Sequence, residues 1–137
     1  MKLVRDEEGS AAFGWIGPYV YFARFAGKLS AELSAMHVAH LQAAVESTPT
    51  IRYFSDSSEL TRHDLLARSA FIRLLLRHRK KFSELVFLNW AGNTVLSSEL
   101  LTTAVGEPLV VLDDRGEFER RLILAAPQAA DMVRPKR

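Results

Sequence analysis

Two short runs, ELVFLNW at 84–90 and LVVLD at 109–113, are apolar without alternation. A strand with one wet face alternates apolar and polar residues, whereas a strand covered on both faces is apolar throughout. Both runs are short and bounded by polar or turn residues, which favours strands over helices. A chain holding two such strands must cover its sheet with helices, and this constrains the fold more than any other feature.

The stretches between strands supply those helices. From 31 to 46, Leu33, Val38, Leu41 and Val45 gather on one arc of a helical wheel. Ser30 stands where an N-cap is needed, Glu32 suits the positive end of the dipole, and Thr48-Pro49 stops the helix. Thr61 and Asp64 read as a capping box opening a long helix over about 61–81. In that helix Leu65, Phe71, Ile72, Leu74, Leu75 and Leu76 cover more than half the circumference, as for a helix contacted on two sides. Leu96, Leu100 and Ala104 recur at helical spacing before Gly106 and Pro108. Phe118, Leu122 and Ala125 form a last stripe before Pro127.

FGWIG (13–17) and YVYFARFAG (19–27), joined at Gly17-Pro18, and TIRYFS (50–55) read as further strands. The order is β-β-α-β-α-β-α-β-α. The expected class is α/β: a mixed, mostly parallel sheet of about five strands with about four helices. Right-handed crossovers should join the parallel strands, and the first two strands can pair antiparallel. Residues 1–127 form one expected domain, and 128–137 a loose basic tail.

Charge and cysteine usage remove several classes. The net charge is +2, with basic residues concentrated in RHRKK (77–81) and RPKR (134–137). That is a weak field for non-specific nucleic-acid binding, and no nucleic-acid partner is expected. There is no cysteine, which excludes disulfides, thiol catalysis and cysteine-ligated zinc. No apolar run approaches the ~18 residues of a membrane span. MKLVRDEEGS is unlike a secretory signal, and a cytoplasmic location is expected.

The polar residues worth weighing lie in YFSDSSELTRHDLLAR, 53–68. Asp56, Ser57 and Ser58 could be a nucleophile or a phospho-acceptor. A nucleophilic serine needs a base and an oxyanion site, and the spacing shows no His–acid pair, so no catalytic residue is assigned. The plainer reading is that Asp56 and the serines satisfy amides at a strand end and helix start. Asp64 has a capping role and lies four residues from Arg68. Arg68 falls inside the apolar arc and wants a carboxylate, Asp64 or Asp56, which would tie the strand-end loop to the helix. His37 and His40 sit three apart; two ligands are too few for a metal, so hydrogen-bonded helix histidines are expected. RHRKK could take phosphates, but a solvated helix end is the plainer reading. Trp15, Tyr19 and Tyr21 are the first choice if the chain has a contact surface, but an aromatic-rich core edge is the plainer reading. No phosphate loop, dinucleotide fingerprint or zincin motif is present, and no cofactor is expected.

YFARFAGKLSAEL, RYFSDSSEL, ELVFLNW and PLVVLDDRGEFERRL, in that order across residues 14–126, resemble the anti-sigma-factor-antagonist (STAS) superfamily, and within it the looser STAS-like group. The resemblance implies a SpoIIAA-like fold and a regulatory, partner-binding role. In the family a serine of an Asp-Ser-Ser-Gly sequence at a helix start is phosphorylated by a partner kinase. Here Asp64 matches the aspartate, but Leu65, Leu66 and Ala67 replace Ser-Ser-Gly. The resemblance thus implies a STAS-like domain without the switch serine.

The leading expectation is a non-catalytic regulatory or protein-interaction domain whose partner is another protein or a second copy. The alternative is a small-molecule or lipid-binding module. An enzyme would need Asp56, Arg68 and Asn89 to converge at the C-terminal strand ends, where open α/β sheets bind ligands.

Overall fold

The computed structural model describes residues 1–63, 65–89 and 109–133, apart from the side chains at 63, 65–68, 89 and 132–133. Among these residues six strands form one sheet in chain order: β1 (Lys2–Arg5), β2 (Gly9–Gly17), β3 (Val20–Leu29), β4 (Ile51–His63), β5 (Phe82–Asn89) and β6 (Leu109–Leu112). β1, β2 and β3 pair antiparallel; β3 through β6 run parallel. The α/β class and its mixed, mostly parallel sheet are as the sequence indicates. β1 is an additional strand, because four residues flanked by charges carry no clear strand pattern.

Helices α1 (Ala31–Glu46) and α2 (Leu65–Arg77) form the β3–β4 and β4–β5 crossovers, and α3 (Arg115–Ala125) follows β6. Successive crossovers of one hand advancing along a sheet put their helices on the same face. Accordingly α1 and α2 share one face, where Phe13, Tyr21, Phe25, Leu41, Tyr53, Leu75 and Phe87 are buried together. The alternate residues of the same strands, Val20, Phe22, Phe54, Val86 and Leu88, meet Phe118 and Leu122 of α3 on the other. The expectation that β5 is buried on both faces holds: Leu85 and Phe87 point one way, Val86 and Leu88 the other.

Local chemistry fixes the boundaries. The Ser30 hydroxyl accepts a hydrogen bond from the Leu33 amide and caps α1, as read from the sequence. Lys81 Nζ donates to the Val45 carbonyl at 2.8 Å, so a cation from another element serves the negative end of α1. Asp114 caps α3 by accepting from the Gly116 amide. Gly27 is required at its position: its φ of +72° is left-handed, and a Cβ there would fall on the Glu8 carbonyl oxygen.

Three expectations are corrected. The strand at 50–55 does not end at Asp56 but runs on to His63, so Thr61 lies inside β4 and cannot cap α2, which begins at Leu65. Residues 128–133 are not loose: Pro127–Ala129 form a 3-10 turn, Ala130–Val133 a short helix α4, and Ala129 is buried against the α3 face. The rest of the tail, the helix expected around 96–104, and Trp90 lie outside the described residues. No helix among the described residues is long and apolar enough to cross a membrane.

Candidate functional site

The Asp-Ser-Ser stretch is a β-bulge. Arg24 pairs with Asp56 in the ladder, but Ala26 pairs with Glu59, so β4 carries one residue more than β3 between those points. Asp56 Oδ1 accepts the Ser58 amide at 3.0 Å and the Ser58 hydroxyl at 2.6 Å. That side-chain-to-backbone bond, two residues on, is the Asx chemistry typical of turns. It explains why the sequence looks like a strand end while the backbone stays extended. The extra residue also reverses the alternation, so that Leu60 joins the α1/α2 face instead of Asp56's face.

Asp56 is 1% exposed and lies on the α3 side of the sheet. Its Oδ2 accepts Arg24 Nε at 3.1 Å and Arg115 Nη1 at 3.2 Å, and Arg115 also contacts the Ser58 hydroxyl. Arg24 comes from the neighbouring strand and Arg115 from the first turn of α3, so one carboxylate joins β3, β4 and α3. Burial alone pushes the Asp56 carboxyl up. The Ser58 hydroxyl and amide, then Arg115 and Arg24, outweigh it and leave the group below its ordinary value of 3.8. A carboxylate has about four lone-pair sites, and here they are filled. A saturated, weakly basic carboxylate is a poor general base, and the Ser58 proton already points at it. Chemically the cluster is a clamp.

The sequence reading therefore identifies Asp56 but not its partners. Arg24 and Arg115 hold it, and they lie 32 and 59 residues away in the chain. Asp64 and the side chains of Arg68 and Asn89 lie outside the described residues. Ser57 is buried at 4% and continues the ladder opposite Asn89. The missed signal was Arg24 inside an otherwise apolar strand, since such an arginine needs an anion.

On the opposite face, His37 and His40 are hydrogen-bonded as expected. His37 Nε2 is 3.1 Å from the Tyr53 hydroxyl, and His40 Nδ1 is 2.9 Å from the Tyr21 hydroxyl. Tyr21 and Tyr53 stack with centroids 5.8 Å apart, and Phe13, Phe25 and Phe71 close around His37. Burial, and secondarily His40, pushes His37 down to about 3, so it is neutral. Burial pushes both tyrosines up, so they stay protonated donors or acceptors. Among the described residues no three His, Cys, Asp or Glu side chains gather to hold a metal.

Trp15 and Tyr19 are 38% and 52% exposed at the β2–β3 turn. Alternation along β2 sends Ile16 into the α3-side core, while Trp15, the ladder partner of Tyr21, lies on the α1 side near the end of the strand. Trp15 packs edge-on to Tyr21, with centroids 5.7 Å apart. Tyr19 has φ +62°, strained for a non-glycine residue, and its carbonyl accepts the Arg52 amide at 2.8 Å. Clefts of about 330 and 240 Å³ flank Trp15, one lined by Pro18, Tyr19 and Thr48, the other by His40, Ala43 and Ser47. Tyr21 is wholly buried, which corrects its inclusion in a contact surface.

The fold has a solved counterpart. A crystal structure of an uncharacterised DUF3478-family protein with a SpoIIAA-like fold, from Shewanella loihica PV-4, superposes with a TM-score of 0.66 over 87% of this chain and 98% of its own. The fold is SpoIIAA-like. At 18% identity the likeness concerns architecture. No family model matches the chain. No curated protein matches it either. Within the SpoIIAA-like frame, the Asp56 clamp occupies the α3 side of the sheet. The Trp15–Tyr19 ridge lies at the N-terminal ends of the parallel strands, because Val20 opens β3 opposite Arg52 near the start of β4.

Proposed function

We propose that the protein is a non-catalytic, cytoplasmic interaction domain that docks a protein partner on the Trp15–Pro18–Tyr19 ridge. One observation carries this reading: two large aromatics stand outward on a braced turn, one of them at the expense of backbone strain. Tyr and Trp supply large contact area at low entropic cost and are favoured in interface centres. The strained φ at Tyr19 supports a role beyond packing, since glycine would fit that backbone more easily. The saturated Asp56 clamp supports the non-catalytic part, and Leu65–Leu66–Ala67 at the expected helix start supports a domain that is not phospho-switched.

Tagged protein purified from its host should bring down a partner or form a dimer, and Trp15→Ala with Tyr19→Ala should lose either one. A monomer without partners under several conditions, or capture indifferent to both substitutions, would overturn the reading. A second reading, a small-molecule or lipid site, draws on the two clefts that meet at Trp15; the larger reaches the lower end of ligand-pocket size. A bound mass surviving gentle native mass spectrometry would favour it, and a bare protein mass would oppose it.

A further inference from the structure

The same pole of the molecule carries a second feature. Between Asp64 and Glu84 the sequence has no acidic residue, and Arg73, Arg77, Arg79, Lys80 and Lys81 fall within it. Helical spacing places Arg73, Leu76 and Arg77 on one outward stripe of α2 at i, i+3 and i+4, and Lys80 follows in the 3-10 turn Arg79–Lys81. All four are exposed, Leu76 at 43%. Leu74 and Leu75 face the core instead, so Leu76 is an apolar side chain left outside among cations. Among the described residues Arg73, Arg77, Arg79 and Lys80 have no carboxylate within salt-bridge distance; every ion pair formed there uses other cations. The segment from Leu76 to Lys81 lines a groove of about 420 Å³, into which the chain turns at His78. Among the described residues His78 Nε2 is buried without a hydrogen-bond partner.

This groove adjoins the aromatic ridge. Thr48 lines the cleft beside Tyr19, and two residues on, the Thr50 hydroxyl donates to the Lys81 carbonyl at 3.4 Å. Ile51 pairs with Phe82 just past the basic turn. The loop 47–50 thus runs from the aromatics to the cations along one end of the sheet.

The geometry points to an acidic segment of a partner protein as the occupant of this groove, with carboxylates on Arg77, Arg79 and Lys80 and an apolar side chain on Leu76. This rests on the reading above only in taking the partner to be a protein. The chemistry of the groove selects among anions. A helix C-terminus presents carbonyls, so flexible side chains and not backbone amides must hold the anion, which suits carboxylates spread along a chain better than one compact phosphate. Along α2 the cations Arg73 and Arg77 span roughly 6 Å, too short to follow a duplex backbone, and no Phe, Tyr or Trp lies among the lining residues for base stacking. A single exposed leucine buries too little area for insertion into a lipid surface.

The test uses a fluorescein-labelled hexapeptide alternating Glu and Leu, titrated with the full chain and read by anisotropy at about 50 mM and about 200 mM salt. Binding should weaken tenfold or more in the double variant Arg77→Glu/Lys80→Glu, weaken with salt, and be lost when Gln replaces Glu in the peptide. Arg73→Glu/Arg79→Glu should weaken it as well, and circular dichroism of each variant guards against a folding defect. Trp15→Ala should leave this short peptide bound, so failure of the aromatic ridge and failure of the cationic groove give separate results. Peptide affinity unchanged by charge reversal, or equal for the Gln peptide, would overturn the proposal. So would tighter binding to phosphatidylserine vesicles or single-stranded RNA than to the peptide.

Discussion

Arg24 and Asp56 are ladder partners on adjacent parallel strands, and their side chains meet with Nε 3.1 Å from Oδ2. The contact ties the edge of an antiparallel hairpin to the first strand of the parallel half. Arg115 of α3 completes it on the same face of the sheet at 3.2 Å. A buried anion held by two cations is costly to break from one side, because the remaining charges lose their partner.

Asp56→Ala should therefore destabilise the fold by about 2–3 kcal/mol, below the ~3–5 kcal/mol of a fully buried pair because both guanidiniums are part-exposed and solvent screens them. Urea denaturation checks this. The sign of the pH effect follows from the lowered Asp56 pKa: its stabilisation is present above the ordinary value of 3.8 and is lost as pH falls through the lower folded value. Asp56→Asn should flatten stability below that pH.

His37 acts in a separate window. Its folded pKa of about 3 lies below its ordinary 6.5, so protonation favours the unfolded chain. Stability is full above 6.5 and is lost as pH falls from 6.5 toward 3, by about 2 kcal/mol at pH 5 for this group. His37→Gln, which can still reach the Tyr53 hydroxyl, should remove most of that slope between pH 6.5 and 5, as read from urea midpoints. A slope unchanged in the variant would show that His37 is not its source.

Gly27→Ala should cost about 1–3 kcal/mol, because the left-handed φ and the Glu8 carbonyl both oppose a Cβ. A thermal scan checks it, and an unchanged midpoint would mean the β2–β3 hairpin yields locally.

Tyr19→Gly should behave in the opposite way. The ring is half exposed and the backbone at +62° suits glycine, so the melting midpoint should stay level or rise. The same variant should lose the partner of the aromatic ridge, separating stability from binding at one position.

Much of the fold is legible in the sequence because the central strands announce themselves: ELVFLN can only be a strand covered on both faces. α1 is legible from its cap and stripe. The length of β4 is not, because Asp56-Ser57-Ser58 carries turn chemistry that a bulge uses as readily as a loop, and Thr61 with Asp64 then imitates a helix start. The clamp is half legible. Asp56 stands out, but its arginines come from positions 24 and 115, and no local pattern links residues so far apart. Tyr21 and Trp15 look alike in the sequence and share a face as ladder partners; Tyr21 is wholly buried there, whereas Trp15, nearer the β2–β3 turn, stays 38% exposed.

The sheet follows chain order from β1 to β6. Among the described strands none has to be inserted between two that precede it, so each pairs with a neighbour already made. The β3–β4 and β4–β5 pairings each close over one helical crossover, bringing together residues such as Phe22 and Phe54 or Phe54 and Val86. The sheet can therefore grow by accretion as the chain emerges from the ribosome. The Asp56 clamp is its late step: Arg24 reaches the carboxylate when β4 docks, and Arg115 locks it after the last strand is laid down.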